Sequence, residues 1–181
     1  MIPNKSWKDK NIAERIVKLY QTEELIRAFD FDIDLIYEHV LKHLPVEQQE
    51  RNEVKAQYLD FLEKMKAEGL DSNPGQHLQS TQALVSELDD LHIQLLGNDS
   101  DYRAVFAICR LEIRRLSELN PDKNITPVQV CLNAMFGFLL LRLNGKKISE
   151  EDERGIKPIG ELLSLLSFHY DKKDRENGQL K

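Results

Sequence analysis

Apolar residues recur at three- and four-residue spacing along nearly the whole chain, and strict alternation is missing. That pattern predicts helices and no strands. The first runs from about Asn11 to Phe29, with Ile12, Ile16, Leu19 and Ile26 on one side. A second follows Asp32, a natural N-cap, and carries Ile33, Ile36, Tyr37, Val40 and Leu44 up to the breaker Pro45. A third places Val54, Tyr58, Phe61, Leu62 and Met65 on one stripe. "GLDSNPG" then punctuates the chain, with Asn73 and Pro74 suited to the N-cap and first turn of a fourth helix.

The fourth helix turns Leu84, Leu88, Leu91 and Leu95 inward and stops at Gly97. The fifth uses Tyr102, Val105, Phe106, Cys109, Ile113 and Leu116 and ends before Pro121. "TPVQ" (Thr126 to Gln129) joins an N-cap, a first-turn proline and a capping-box glutamine, and opens a sixth helix. Helix six, about 127–143, is apolar almost all round and is expected to be the central element. The seventh starts near Ser149 and presents Ile159, Leu162, Leu163, Leu166 and Tyr170, with Pro158 expected to kink or split it. Short connections favour antiparallel neighbours. The expectation is an all-α chain: a single multi-helix bundle of about seven helices over residues 10–172. Residues 1–9 form a frayed N-terminus and 173–181 a polar C-terminal tail.

Length agrees, since 181 residues suffice to bury a core without metal or disulfide staples. A formal net charge of -6 argues against nucleic acid or an anionic membrane as partner, because both need a concentrated basic surface. "MIPNKSWKDKN" has lysines but no apolar run behind them, so no secretory signal is expected. The most apolar stretch, "PVQVCLNAMFGFLLLRL", is shorter than the roughly 20 residues a bilayer needs and contains Asn133 and Arg142. Cys109 and Cys131 both fall inside apolar helical patterns and read as reduced core residues of a cytoplasmic protein.

One local conflict stands out. Glu23 and Arg27, spaced i, i+4, lie on the same side of helix one as its apolar stripe, with Tyr20 and Asp30 beside it. They form a solvated surface bridge, or an enclosed structural ion pair, or part of a polar site between helices. Arg103, Arg110 and Arg114 make a basic edge on helix five that could hold an anionic ligand, pair with the acidic "ELDD" (Glu87 to Asp90) of helix four, or simply be solvated. Asn133 shares a face with Gly137 on helix six and needs hydrogen-bond partners, most simply a neighbouring carbonyl. Tyr20, Glu23, Arg27, Arg110 and Asn133 are therefore the candidate ligand-binding residues. No metal or other cofactor is expected: His39 and His43 are spaced i, i+4 but edge towards water, and His92 reads as a core histidine. No phosphate loop, nucleophile elbow or local catalytic dyad occurs, so no catalytic residue is assigned.

"NIAERIVKLYQTEELIRAFDFDIDLI" resembles the start of an uncharacterised bacterial helical family, one catalogued as a domain of unknown function. The likeness rests on Asn11–Ile12–Ala13–Glu14, Tyr20–Gln21, Glu23–Glu24, Ile26–Arg27 and Asp32–Ile33–Asp34. It implies a bacterial, cytoplasmic, stand-alone helical domain, and brings no catalytic residue, cofactor or partner with it. Two functions remain in play. One is a non-enzymatic domain acting through protein–protein contact, with a second copy or another protein as partner and the extra apolar surface of helix six or seven as the contact. The other is a small-molecule-binding or enzymatic domain with a polar pocket around Glu23 and Arg27.

Overall fold

A computed structural model of the chain describes residues 11–73, 75–122 and 124–178. Among these there are seven α-helices and no strand: α1 (Ile12–Ala28), α2 (Ile33–His39), α3 (Gln48–Ala67), α4 (Gln79–Asn98), α5 (Ser100–Leu119), α6 (Pro127–Leu143) and α7 (Glu150–Gly178). The all-α reading therefore stands. The expected frayed residues 1–9 lie outside the described part of the chain, as does Pro74.

Several ends follow from local chemistry. Asp32 caps α2 by accepting from the backbone N–H groups of Asp34 and Leu35. Thr126 caps α6 by accepting from Gln129 N, and Pro127 occupies the first turn where no N–H is needed. Asp99 caps α5 by accepting from Tyr102 N. α1 closes with Phe31 N–H on the Ile26 carbonyl and Asp30 N–H on the Arg27 carbonyl, each at 3.0 Å. That closure holds Asp30 (φ 51°) and Phe31 (φ 58°) in the left-handed region.

Three boundaries differ from the sequence pattern. α2 ends at His39 rather than near Leu44, because the backbone leaves helical geometry at Val40 and a 3₁₀ turn follows over Leu41–His43. In a continued α-helix Leu41 would point roughly 140° away from Ile36. The break allows both to be fully buried. Asn73 does not cap α4: its side chain donates to the Gly69 carbonyl, and the helix starts at Gln79. Pro158 does not split α7, which runs unbroken from Glu150 to Gly178 and so takes in most of the segment read as a polar tail. The carbonyl that Pro158 leaves without its usual donor belongs to exposed Arg154, which water can serve.

The described residues form two compact units. The first spans residues 18–82 and the second residues 11–17 with 83–178, so α1 and α4 contribute to both. The core of the first unit is Ile26, Ile36, Leu41, Val54, Tyr58, Leu62, Met65, Leu70 and Leu78. In the second unit α5, α6 and α7 pack against one another. There α6 is fully buried over Val128 and Val130–Leu132, half-buried further on, and exposed at Leu141 and Leu143. Val85, Leu88, Leu91 and Leu95 form the buried side of α4, with Leu84 half-buried beside them.

Candidate functional site

Glu23 is wholly buried on α1 of the first unit, and it does not pair with Arg27. Its carboxylate faces the start of α4. Oε1 accepts from the Thr81 hydroxyl at 2.8 Å and from Leu78 N–H at 3.4 Å, while Oε2 lies 2.6 Å from His77 Nδ1. The His77 ring stacks on Tyr20, with centroids 3.8 Å apart and planes 18° from parallel.

This arrangement explains the charge on an apolar face. The residue preceding α4 is Leu78, which has no side-chain oxygen to cap a helix, and Leu78 itself is needed in the core. The orphan N–H groups of that helix start are served from elsewhere in the fold: Leu78 N–H by Glu23, and Gln79 N–H by Glu68 Oε2 at 2.8 Å. Two carboxylates at a helix N-terminus also complement its dipole. Three donors and a positive helix end offset the cost of burying Glu23.

Arg27 serves the same segment from the other side. It donates from Nη2 to the Gln76 carbonyl and lies 3.5 Å from Glu24 Oε2, while its Nε is buried with no partner among the described residues. Consecutive residues Gln76 to Gln79 are thus held by three residues distant in sequence: Arg27, Glu23 and Glu68. The expected Glu23–Arg27 ion pair is replaced by two separate attachments to one segment. The reason is reach: α4 begins where the carboxylate has better donors than a guanidinium already committed to a carbonyl.

His77, Thr81 and Glu68 were not among the residues singled out by sequence. The available signal was the helix start itself, since "GQHLQSTQ" offers no capping residue at Leu78 and so calls for a carboxylate from outside. The geometry resembles half of a catalytic dyad, with a carboxylate orienting an imidazole. The cleft bordered by Arg27, about 360 Å³, is otherwise lined by Asp30, Phe31, Lys66, Leu70 and Asp71, and neither Glu23, Tyr20 nor His77 reaches it.

Arg110 and Asn133 belong to the second unit. Asn133 finds its partner within α6, accepting from Gln129 Nε2 at 2.7 Å, rather than at a neighbouring carbonyl. Arg110 is exposed on α5 and has no hydrogen-bond or ion-pair partner among the described residues. Tyr20 and Glu23 thus converge through His77, Arg27 holds the adjoining residue, and Arg110 and Asn133 stand in the second unit.

Several other polar groups of the second unit pair with one another. His92 Nδ1 lies 2.7 Å from the Tyr102 hydroxyl, as expected of a core histidine, and burial lowers the His92 pKa. Thr126 donates to Asp89 Oδ2 at 2.9 Å, and burial raises the Asp89 pKa. Cys109 and Cys131 are both free, and burial raises both thiol pKa values, which makes them poor nucleophiles. His39 and His43 are exposed and separated by the break at Val40. Among the described residues no helix is long and apolar enough to cross a membrane.

Fold and site together define an all-helical domain in which the buried Glu23, Thr81 and His92 each have a hydrogen-bond partner within the chain. Residues 1–177 match the model of the domain of unknown function DUF4924, and the chain belongs to that family. No curated protein and no solved structure matches it.

Proposed function

We propose that this domain works by binding another protein surface rather than by catalysis, and that the outer face of α5 is the contact. The observation that carries the reading is the placement of Ile108, Leu111 and Leu119, which are 68%, 74% and 71% exposed. Single exposed aliphatic residues are ordinary. These three share one face, within about 80° of each other around the helix axis, and span roughly 16 Å along it. Ala104 and the aliphatic stem of Arg115 fall in the same sector, so the stripe is nearly continuous. A large apolar stripe facing water on one helix is the usual mark of a partner surface, either a second copy or another protein. The same reading takes the domain to be cytoplasmic and bacterial, in keeping with two free thiols and with the family resemblance.

The competing reading, a ligand pocket around Glu23 and Arg27, has less support. Glu23 has its acceptor sites filled from within, and Arg27 borders a cleft that Glu23 does not share.

A photo-crosslinking amino acid at Leu111, compared with one at exposed Lys157 on α7, tests the proposal in cells expressing the protein. A discrete adduct from Leu111 that is lost on Ile108→Glu is expected. A monomer by light scattering at low micromolar concentration, with no Leu111 adduct, would defeat it.

A further inference from the structure

The apolar stripe of α5 has one edge whose charge the chain leaves open. Four arginines lie on the exposed side of this helix. Arg114 pairs with Glu118 at 3.0 Å and Arg115 with Glu112 at 2.5 Å. Arg103 donates to a neutral acceptor, the Leu96 carbonyl at 3.1 Å, and forms no ion pair among the described residues. Asp99 is within electrostatic reach of Arg103, but its carboxylate is engaged in capping α5 and lies 3.6 Å from His169. Arg110 has no partner of any kind among the described residues. Asp101, the remaining acid of this helix, sits in the first turn, where the helix dipole favours it.

Arg103 and Arg110 are seven positions apart, so they point the same way, roughly 10 Å apart along the axis and about 90° around from Leu111. In a chain of net charge -6, this helix edge is locally basic beside an apolar stripe. We infer that α5 docks an amphipathic helix from another protein whose apolar row is flanked by acidic side chains recurring every seven residues. This rests on the interaction reading above and adds the chemistry of the partner. The apolar row would cover Ile108, Leu111 and Leu119, and the carboxylates would meet Arg103 and Arg110. A second copy fits less well, because antiparallel two-fold pairing of α5 on itself brings the arginine edge against its own symmetry mate.

The experiment uses the full chain and two fluorescent 21-residue helical peptides, identical in their leucine rows. One carries glutamate at every seventh position beside the row, the other lysine. Anisotropy titrations at low and moderate salt are expected to show saturable binding of the glutamate peptide, weakened by salt, with the lysine peptide at least about tenfold weaker. Arg110→Glu, an exposed substitution that circular dichroism would show to be folded, is expected to weaken the glutamate peptide about fivefold and improve binding of the lysine peptide. Equal affinity for the two peptides, or binding of neither, overturns the inference. So does sedimentation as a dimer that Ile108→Glu converts to monomer, which would make the second copy the occupant. The two proposals fail separately: Leu111 adducts without a charge preference sink only the acidic partner, whereas absence of adducts sinks the interaction reading itself.

Discussion

Replacing Glu23 tests whether its carboxylate holds the start of α4. Glu23→Ala leaves three donors without an acceptor. Two of them, the Thr81 hydroxyl and Leu78 N–H, belong to residues that are almost completely buried, and water cannot replace the lost oxygen cheaply. At about 1–3 kcal/mol for each buried donor left unpaired, and with His77 partly open to water, the loss should be about 3–5 kcal/mol. For a chain of this length that corresponds to a melting temperature lower by on the order of 10 °C. Glu23→Gln should be gentler. Its retained oxygen can still serve Thr81 and Leu78, while its NH₂ can face His77 if the ring proton moves to Nε2, so the expected cost is about 1–2 kcal/mol. Arg27 does not enter either figure, because Glu23 is not its partner. The readouts are urea unfolding by circular dichroism and hydrogen exchange at Leu78, whose amide should exchange much faster in Glu23→Ala. A loss under about 1 kcal/mol with unchanged Leu78 protection would refute the capping role.

Three further outcomes follow from the same geometry. Thr126→Ala removes the α6 cap and the bond to Asp89 together, and should lower stability by about 1–2 kcal/mol in urea. Asp30→Gly relieves a left-handed backbone at a residue whose side chain forms no hydrogen bond or ion pair among the described residues. It should raise the melting temperature by the equivalent of roughly 0.5–1 kcal/mol; a destabilised variant would show that Asp30 contributes something the backbone argument omits. His92 has its pKa lowered by burial, so the unfolded chain takes up a proton first as pH falls. Its contribution is intact above the ordinary value near 6.5 and fades as pH drops below it. His92→Gln, which can keep the bond to Tyr102, should therefore lose less stability than wild type between pH 7 and pH 5, and parallel slopes would contradict this.

Helix existence was legible because it depends on periodicity, which one side of each helix displays over many residues. The caps at Asp32 and Thr126 were legible for the same reason, since donor and acceptor are three residues apart or fewer. The α4 start was not. "SNP" satisfies every local rule for a helix N-terminus, yet Asn73 is spent on the α3 end and the helix begins after a leucine. What decided it is non-local: Leu78 is worth more in the core than a capping side chain would be at that position, and distant Glu23, Glu68 and Arg27 make up the difference. The charged face of α1 was therefore visible in the sequence, while the identity of its partner was not. An i, i+4 rule pairs Glu23 with Arg27 because it can see nothing beyond the helix. In the fold both side chains turn to the same four-residue segment, one to its donors and one to its acceptor. A carboxylate and a guanidinium satisfied separately in this way gain little from each other. Their spacing on α1 instead sets where along that helix the entry to α4 can sit, because a shift of one residue would turn Glu23 roughly 100° away from the donors it serves.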